Sequence, residues 1–316
     1  MYHVINRGNY RSWIFNDDGG KAAFEKCLFE ACEGFGWILH GYCIMGNHFH
    51  LALETPNGNL SKGMGWLQST FAMRFNSYRK EHGSLFQGRF KSIVVEDWEG
   101  LGWLCHYIHL NPVRAGIVSV DNLESYERSS YAWLLRGKKG RPQCLSFGAM
   151  LDVCGHLKDG PVGRRKYGEY LAWLVEDEPR QKEMRFDRMS RGWALGSKDF
   201  KVALLEDGKK EVARRVLDGD AGDEARELLW ERMLENCLSL LGRSALDIQR
   251  DAKSAEWKIG VCAYLRQDGG CRMGWICEKL RMGVAAGASR CMKRLRTGEA
   301  KEAAKVLKLL KSKIKS

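Results

Sequence analysis

Along the first 120 or so residues the hydrophobic positions recur with two periods, two and about 3.6, and the switches between them mark out successive elements. Tyr2-His3-Val4-Ile5-Asn6-Arg7 alternates weakly and stops at Gly8, which predicts a strand running into a loop. Asp17 and Asp18 are capping residue types, and Phe24, Cys27, Leu28 and Ala31 then recur at helical spacing until Gly34 and Gly36. The aromatic-rich run from Trp37 to Met45 and the run from His48 to Glu54 are separated only by Gly46 and Asn47, the spacing of a β-hairpin. Leu60, Met64, Leu67, Phe71, Phe75 and Tyr78 hold one helical stripe, with Lys62, Gln68, Arg74 and Arg79 on other faces. Phe90 to Glu96 reads as a fourth strand. Asp97 then caps a helix whose core face is Leu101, Leu104, Cys105 and Ile108, and Pro112 ends it, because proline disfavours helical dihedrals in the residue before it. The order β-α-β-β-α-β-α predicts an α+β fold, a ferredoxin-like antiparallel sheet backed by helices.

Beyond Val120 the pattern weakens through Tyr126, Tyr131, Trp133 and the basic loop from Arg136 to Arg141. From Glu224 onward nearly every window is helical. Ile259 to Leu265, a break at Gly269-Gly270, Met273 to Leu280, a turn at Gly283 and Ala286 to Leu295 predict a helix-turn-helix over about 257–295 in an all-α C-terminal region. The last helix of such a module lies in the major groove, which makes Arg290, Lys293 and Arg294 candidate contacts to duplex DNA. A helical bundle with a solvated basic face has the same pattern, and the basic stretch 301–316 suits a frayed terminus. Three regions follow: a catalytic domain over 1–135, a basic extension or connector over 136–223, and a helical DNA-binding domain over 224–316.

Charge narrows the partners. Fifty-one Lys and Arg against 39 Asp and Glu leave +12 and a pI near 9.2, a balance suited to a polyanion, with nucleic acid first. Eleven cysteines contain no CxxC pair, so they read as reduced, small apolar residues and not as a disulfide framework or a structural zinc site. The N-terminus lacks the succession of a signal peptide, and no apolar run nears the ~18 residues of a membrane span. The expectation is a cytoplasmic protein without a membrane partner.

Two segments carry chemistry. In Asn47-His48-Phe49-His50-Leu51 a strand sends His48 and His50 to one face, less than about 7 Å apart, so both imidazoles can meet one divalent ion. In Tyr107-Ile108-His109-Leu110-Asn111-Pro112-Val113-Arg114-Ala115-Gly116 the tyrosine and Asn111 are four apart and share a helix face away from Leu104 and Ile108.

Together with the YHV-x-x-RG opening at Tyr2 to Gly8 and GRFKS at Gly88 to Ser92, these segments resemble the HUH-type tyrosine transposases of the IS200/IS605 kind, in particular the REP-associated tyrosine transposases. The resemblance covers roughly residues 1–135. It implies an HUH endonuclease fold, Tyr107 as nucleophile, His48 and His50 as metal-binding pair, and Asn111 completing that site. It also implies a divalent metal, Mg²⁺ or Mn²⁺, and DNA cleavage and rejoining through a 5′-phosphotyrosine on single-stranded or hairpin DNA. Arg7, Arg89 and Lys91, at strand ends beside the motifs, are the expected phosphate contacts. Monomer and homodimer both stay open. Gly46 stands where relatives often have proline, and the long C-terminal region has no counterpart in the minimal transposases. That region supports an alternative, a sequence-specific DNA-binding regulator with a vestigial nuclease domain. A plasmid relaxase fits less well, since relaxases generally use three histidines in a different motif order.

Overall fold

The computed structural model describes residues 1–206, 216–217 and 222–314. Its chain divides into two compact units between Ser197 and Lys198. That division falls inside the span 136–223, of which residues 207–215 and 218–221 lie outside the described part.

The first unit is α+β. Strands β1 (Tyr2–Arg7), β2 (Ile38–Ile44), β3 (His48–Glu54) and β4 (Lys91–Val95) alternate with helices α1 (Asp18–Phe35), α2 (Leu60–Arg79) and α3 (Trp98–His109) in the expected order. The Asp17 carboxylate accepts from the Gly20 amide at the start of α1, and Gly36 ends that helix at φ 66°, a left-handed conformation that glycine adopts without strain. Asp97 caps α3 in the same way, accepting from the Gly100 amide at 2.7 Å. Pro112 does not simply stop the chain's helical course. After α3 ends at His109, a short helix α4 (Asn111–Arg114) begins with Pro112 in its first turn, where the missing N–H costs nothing.

The sheet order is β2-β3-β1-β4-β5, with β5 a two-residue strand at Ala194–Leu195. The first four strands pair antiparallel, but β5 runs parallel to β4, so the sheet is mixed and the expectation of a wholly antiparallel one is corrected. Two paired residues are too few to leave an alternation in the sequence, so this strand was illegible there.

Register divides the sheet into two unlike faces. Val4, Phe49 and Leu51 point to α1 and α2, where Phe24 lies 4.6 Å from the Phe49 ring and 5.1 Å from Phe71. The opposite face lies under α3. There Ile5 sits across from His50, Arg7 from His48 and His3 from Ala52, so these side chains share one surface. Helix α3 approaches it closely at Gly41, where an added Cβ would stand 3.2 Å from the Cys105 sulfur.

The chain from 120 to 197 belongs to the same core. Helices α5 (Ser130–Arg136), α6 (Gly148–Asp152) and α7 (Pro161–Glu176) contribute Leu134, Met150, Tyr167 and Leu171, and the turn after the short helix α8 (Glu178–Glu183) contributes Met184, Phe186 and Met189. The Tyr126 hydroxyl ties this region to β2 by donating to the Ile44 carbonyl at 2.7 Å.

The second unit is mostly helical, with helices at Lys198–Glu206, Gly222–Leu240, Ala245–Arg250, Glu256–Gln267, Met273–Lys279, Ala285–Arg296 and Lys301–Lys313. Its own core gathers Trp230, Leu234, Ile259, Leu265, Trp275, Ile276 and Leu280. The basic stretch after Ala300 is not a frayed tail over its described length, because Ala303 and Leu310 are buried in that core. No helix among the described residues is long and apolar enough to cross a membrane.

Candidate active site

Strand alternation and helix α3 bring the predicted residues of the first unit together. The His48 and His50 rings stand 5.0 Å apart between centroids, nearly perpendicular. The Tyr107 ring reaches down from α3 to 5.9 Å from His50 and 6.1 Å from His3. Asn111, one helical turn on, is buried, and its amide nitrogen has no hydrogen-bond partner. Turning the amide over would put its oxygen in that place, a donor that a hard cation accepts.

Hydrogen bonds settle which ring nitrogens are available. A carbonyl can only accept, so His3 Nδ1 carries the proton in its 2.8 Å contact with the Met189 carbonyl. His3 Nε2 is then a lone pair, and His50 Nδ1 must donate to it across 2.9 Å. His50 is left with its lone pair on Nε2. His48 reaches the same state by donating from Nδ1 to the Asn47 amide oxygen at 2.7 Å. Among the described residues neither Nε2 makes a hydrogen bond.

Electrostatics favours the neutral rings this requires. Burial pushes the His3 pKa down to about 4, helped by the Lys91 charge and opposed by the Met189 carbonyl. His50 is held well below the ordinary histidine value by burial and then by His3 and His48, and His48 is lowered by burial and then by Arg7. Two neutral imidazoles and an amide suit a divalent cation whose remaining positions go to water or phosphate oxygens. Among the described residues no group of three or more His, Cys, Asp or Glu is placed to hold a metal by itself.

Five residues that sequence reasoning passed over also shape the site. His3 and Asn47 hydrogen-bond the His50 and His48 rings, although both lie in the quoted motifs. Ser190 shares a 2.9 Å hydrogen bond with the Tyr107 hydroxyl. The Arg114 guanidinium lies 5.1 Å above the Tyr107 ring, and Phe186 packs edge-on to that ring at 5.6 Å. Tyr107 is only 8% exposed as a result. Arg114 was visible as part of the NPVRAG run, whereas nothing local marks Ser190.

The proposed phosphate contacts fall into three situations. Arg7 is exposed beside His48 and is hydrogen-bonded to Gln87. Arg89 is exposed in the loop before β4. Lys91 is exposed on β4 and donates to the Ser190 carbonyl at 2.9 Å. Arg290, Lys293 and Arg294 are exposed on the helix Ala285–Arg296 of the second unit.

Behind α3 the other two histidines of the segment serve the fold. His106 and His109 both meet the Tyr167 hydroxyl, at 3.1 and 2.9 Å, and His109 also reaches the Ser130 hydroxyl at 2.7 Å.

A sheet face bearing paired imidazoles lies under a helix that carries a tyrosine, and residues 1–111 match the family model described as Transposase IS200 like. Enzymes of this family cleave DNA strands. Among individual relatives, a REP-associated tyrosine transposase of Haemophilus influenzae is 26% identical over 108 residues, 31% of this chain and 61% of that protein's length. A solved structure of a REP-associated tyrosine transposase bound to a REP hairpin is similar at 14% identity and a TM-score of 0.36, over 45% of this chain and 81% of that one.

Proposed function

We propose that the first unit cuts and rejoins single-stranded DNA, at hairpin repeats, by metal-assisted transesterification through Tyr107. The observation that carries this reading is the Tyr107 ring standing 5.9 Å from His50 on the face it shares with His48. The Tyr107 oxygen attacks phosphorus, the bond from phosphorus to the 3′ oxygen breaks, and the net result is a 5′-phosphotyrosine and a free 3′-OH that takes the proton the phenol gives up. A strand bearing a 3′-OH reverses the step and seals the DNA, so no nucleotide energy source is needed. Phenols ionise only near pH ~10, and a divalent metal, Mg²⁺ or Mn²⁺, on His48, His50 and Asn111 would polarise the scissile phosphate and offset its charge. Arg7, Arg89 and Lys91 hold the backbone, and Arg114 stands beside the attacking ring.

Incubating the full chain with hairpin DNA and Mn²⁺ should trap a covalent protein–DNA adduct that survives denaturing electrophoresis. The Tyr107→Phe variant should form none. An adduct with that variant, or none with the natural chain, would overturn the assignment.

A second reading has its own support. The consecutive helices Met273–Lys279 and Ala285–Arg296, the second with Arg290, Lys293 and Arg294 exposed, suit a helix-turn-helix that binds duplex DNA. If that module dominates, the protein is a regulator and the first unit its scaffold. Removing residues 224–316 separates the readings: a nuclease keeps adduct formation and loses only targeting, whereas a regulator loses its function outright.

A further inference from the structure

We propose that His3 is a positioning residue for the metal ligand His50, and that the chain beyond the family match, through Met189, sets the orientation of His3. The proposal rests on the reading of His48 and His50 as metal ligands. It assigns a task to the region after residue 135, which reaches back across 186 positions to the first strand.

A buried chain of three groups, the Met189 carbonyl, His3 and His50, fixes where each ring proton sits. The Met189 carbonyl fixes the proton of His3 on Nδ1, at 2.8 Å. His3 Nε2 must then accept from His50 Nδ1 at 2.9 Å, which leaves the His50 lone pair on Nε2. His3 is completely buried, and both of its ring nitrogens are taken up by these two contacts. With the His3 acceptor gone, the buried His50 N–H would have no partner and the ring could exchange its proton between nitrogens or rotate. Partners of this kind behind a metal-bound histidine change affinity by about 10- to 100-fold when removed.

The same turn holds the nucleophile. Met189 addresses His3 and Ser190 addresses Tyr107 and Lys91, so neighbouring residues of one segment reach both halves of the site. His3 itself is not needed as a ligand in this arrangement, because its only free lone pair is occupied by the His50 proton.

Two measurements on the full chain test the proposal without reading activity. In ¹⁵N NMR of the metal-free protein, His50 should carry its proton on Nδ1. A His50 proton on Nε2 would overturn the proposal whether or not the protein cleaves DNA. In Mn²⁺ titrations followed by EPR, His3→Phe should weaken binding about 10- to 100-fold, and His3→Gln, whose amide can accept from His50 and donate to Met189, should recover most of it. Unchanged Mn²⁺ affinity in a folded His3→Phe variant would overturn the proposal. Equal loss in a folded His3→Gln variant would also do so, by making His3 a ligand. If the natural chain shows the Nδ1 proton and binds Mn²⁺ yet forms no adduct, the proposed strand-transfer function fails and the positioning role stands.

Discussion

The two units use buried polarity in opposite ways. All eight histidines lie before Lys198, and the first unit buries His3, His40, His50, His106, His109 and Asn111 among other polar side chains. In the second unit the one buried polar residue among those described is Lys258, whose ammonium is taken up by the carbonyls of Ile248 and Asp251 at 2.8 and 2.9 Å. Its remaining charges, such as those on Ala285–Arg296, stay at the surface. Burying imidazoles costs desolvation, but it keeps them neutral and holds each in one hydrogen-bonded state, as coordination and positioning of a nucleophile require. Surface cations on an apolar core need no such support and suit contact with a polyanion. The contrast teaches where chemistry and where binding can be built.

The severest way to break this comparison is at Tyr107, the proposed nucleophile. Tyr107→Phe should lower adduct formation by at least about 10³-fold while leaving unchanged the duplex DNA binding proposed for the second unit. Because the change also removes the Ser190 hydrogen bond, stability should shift by only about 1 kcal/mol. Loss of both activities together would mean that the units do not divide the work as described.

Acid should separate the units next. Burial pushes His106 and His109 down to about 3 from 6.5, with His109 and then Arg180 adding to the effect on His106. The unfolded chain therefore takes up these protons first, so the stability they confer is complete above pH 6.5 and lost as pH falls toward 3. At pH 4 the loss is roughly 3 kcal/mol for each of the two. Hydrogen exchange measured region by region between pH 7 and pH 4 should show the first unit opening while the second, without histidine, keeps its protection. Equal loss of protection in both would contradict the assignment of these buried rings.

The mildest test lies on the surface of the second unit. Replacing Arg290, Lys293 and Arg294 together by alanine should weaken duplex DNA binding about tenfold at moderate salt and lower the salt-dependence slope by roughly two to three. Adduct formation on single-stranded hairpins should not change. An unchanged slope would remove these residues from the DNA interface and leave the helix Ala285–Arg296 as a solvated basic face.

Much of this was readable from local pattern, because period-two and period-3.6 spacings are properties of the backbone itself. They set β1 to β4 and α1 to α3 within a few residues of where they lie, with the caps at Asp17 and Asp97. They also put His48 with His50 on one strand face and Tyr107 with Asn111 one helical turn apart. Contacts between distant segments leave no such period. Strand register decided that His3 stands beside His50, and packing of the chain after α8 brought Met189 and Ser190 over His3 and Tyr107. The parallel strand Ala194–Leu195 was decided in the same way. Sequence alone thus determined which side chains could share a face, while only the folded chain decided which faces met, because that choice depends on the burial of surfaces far apart along the chain.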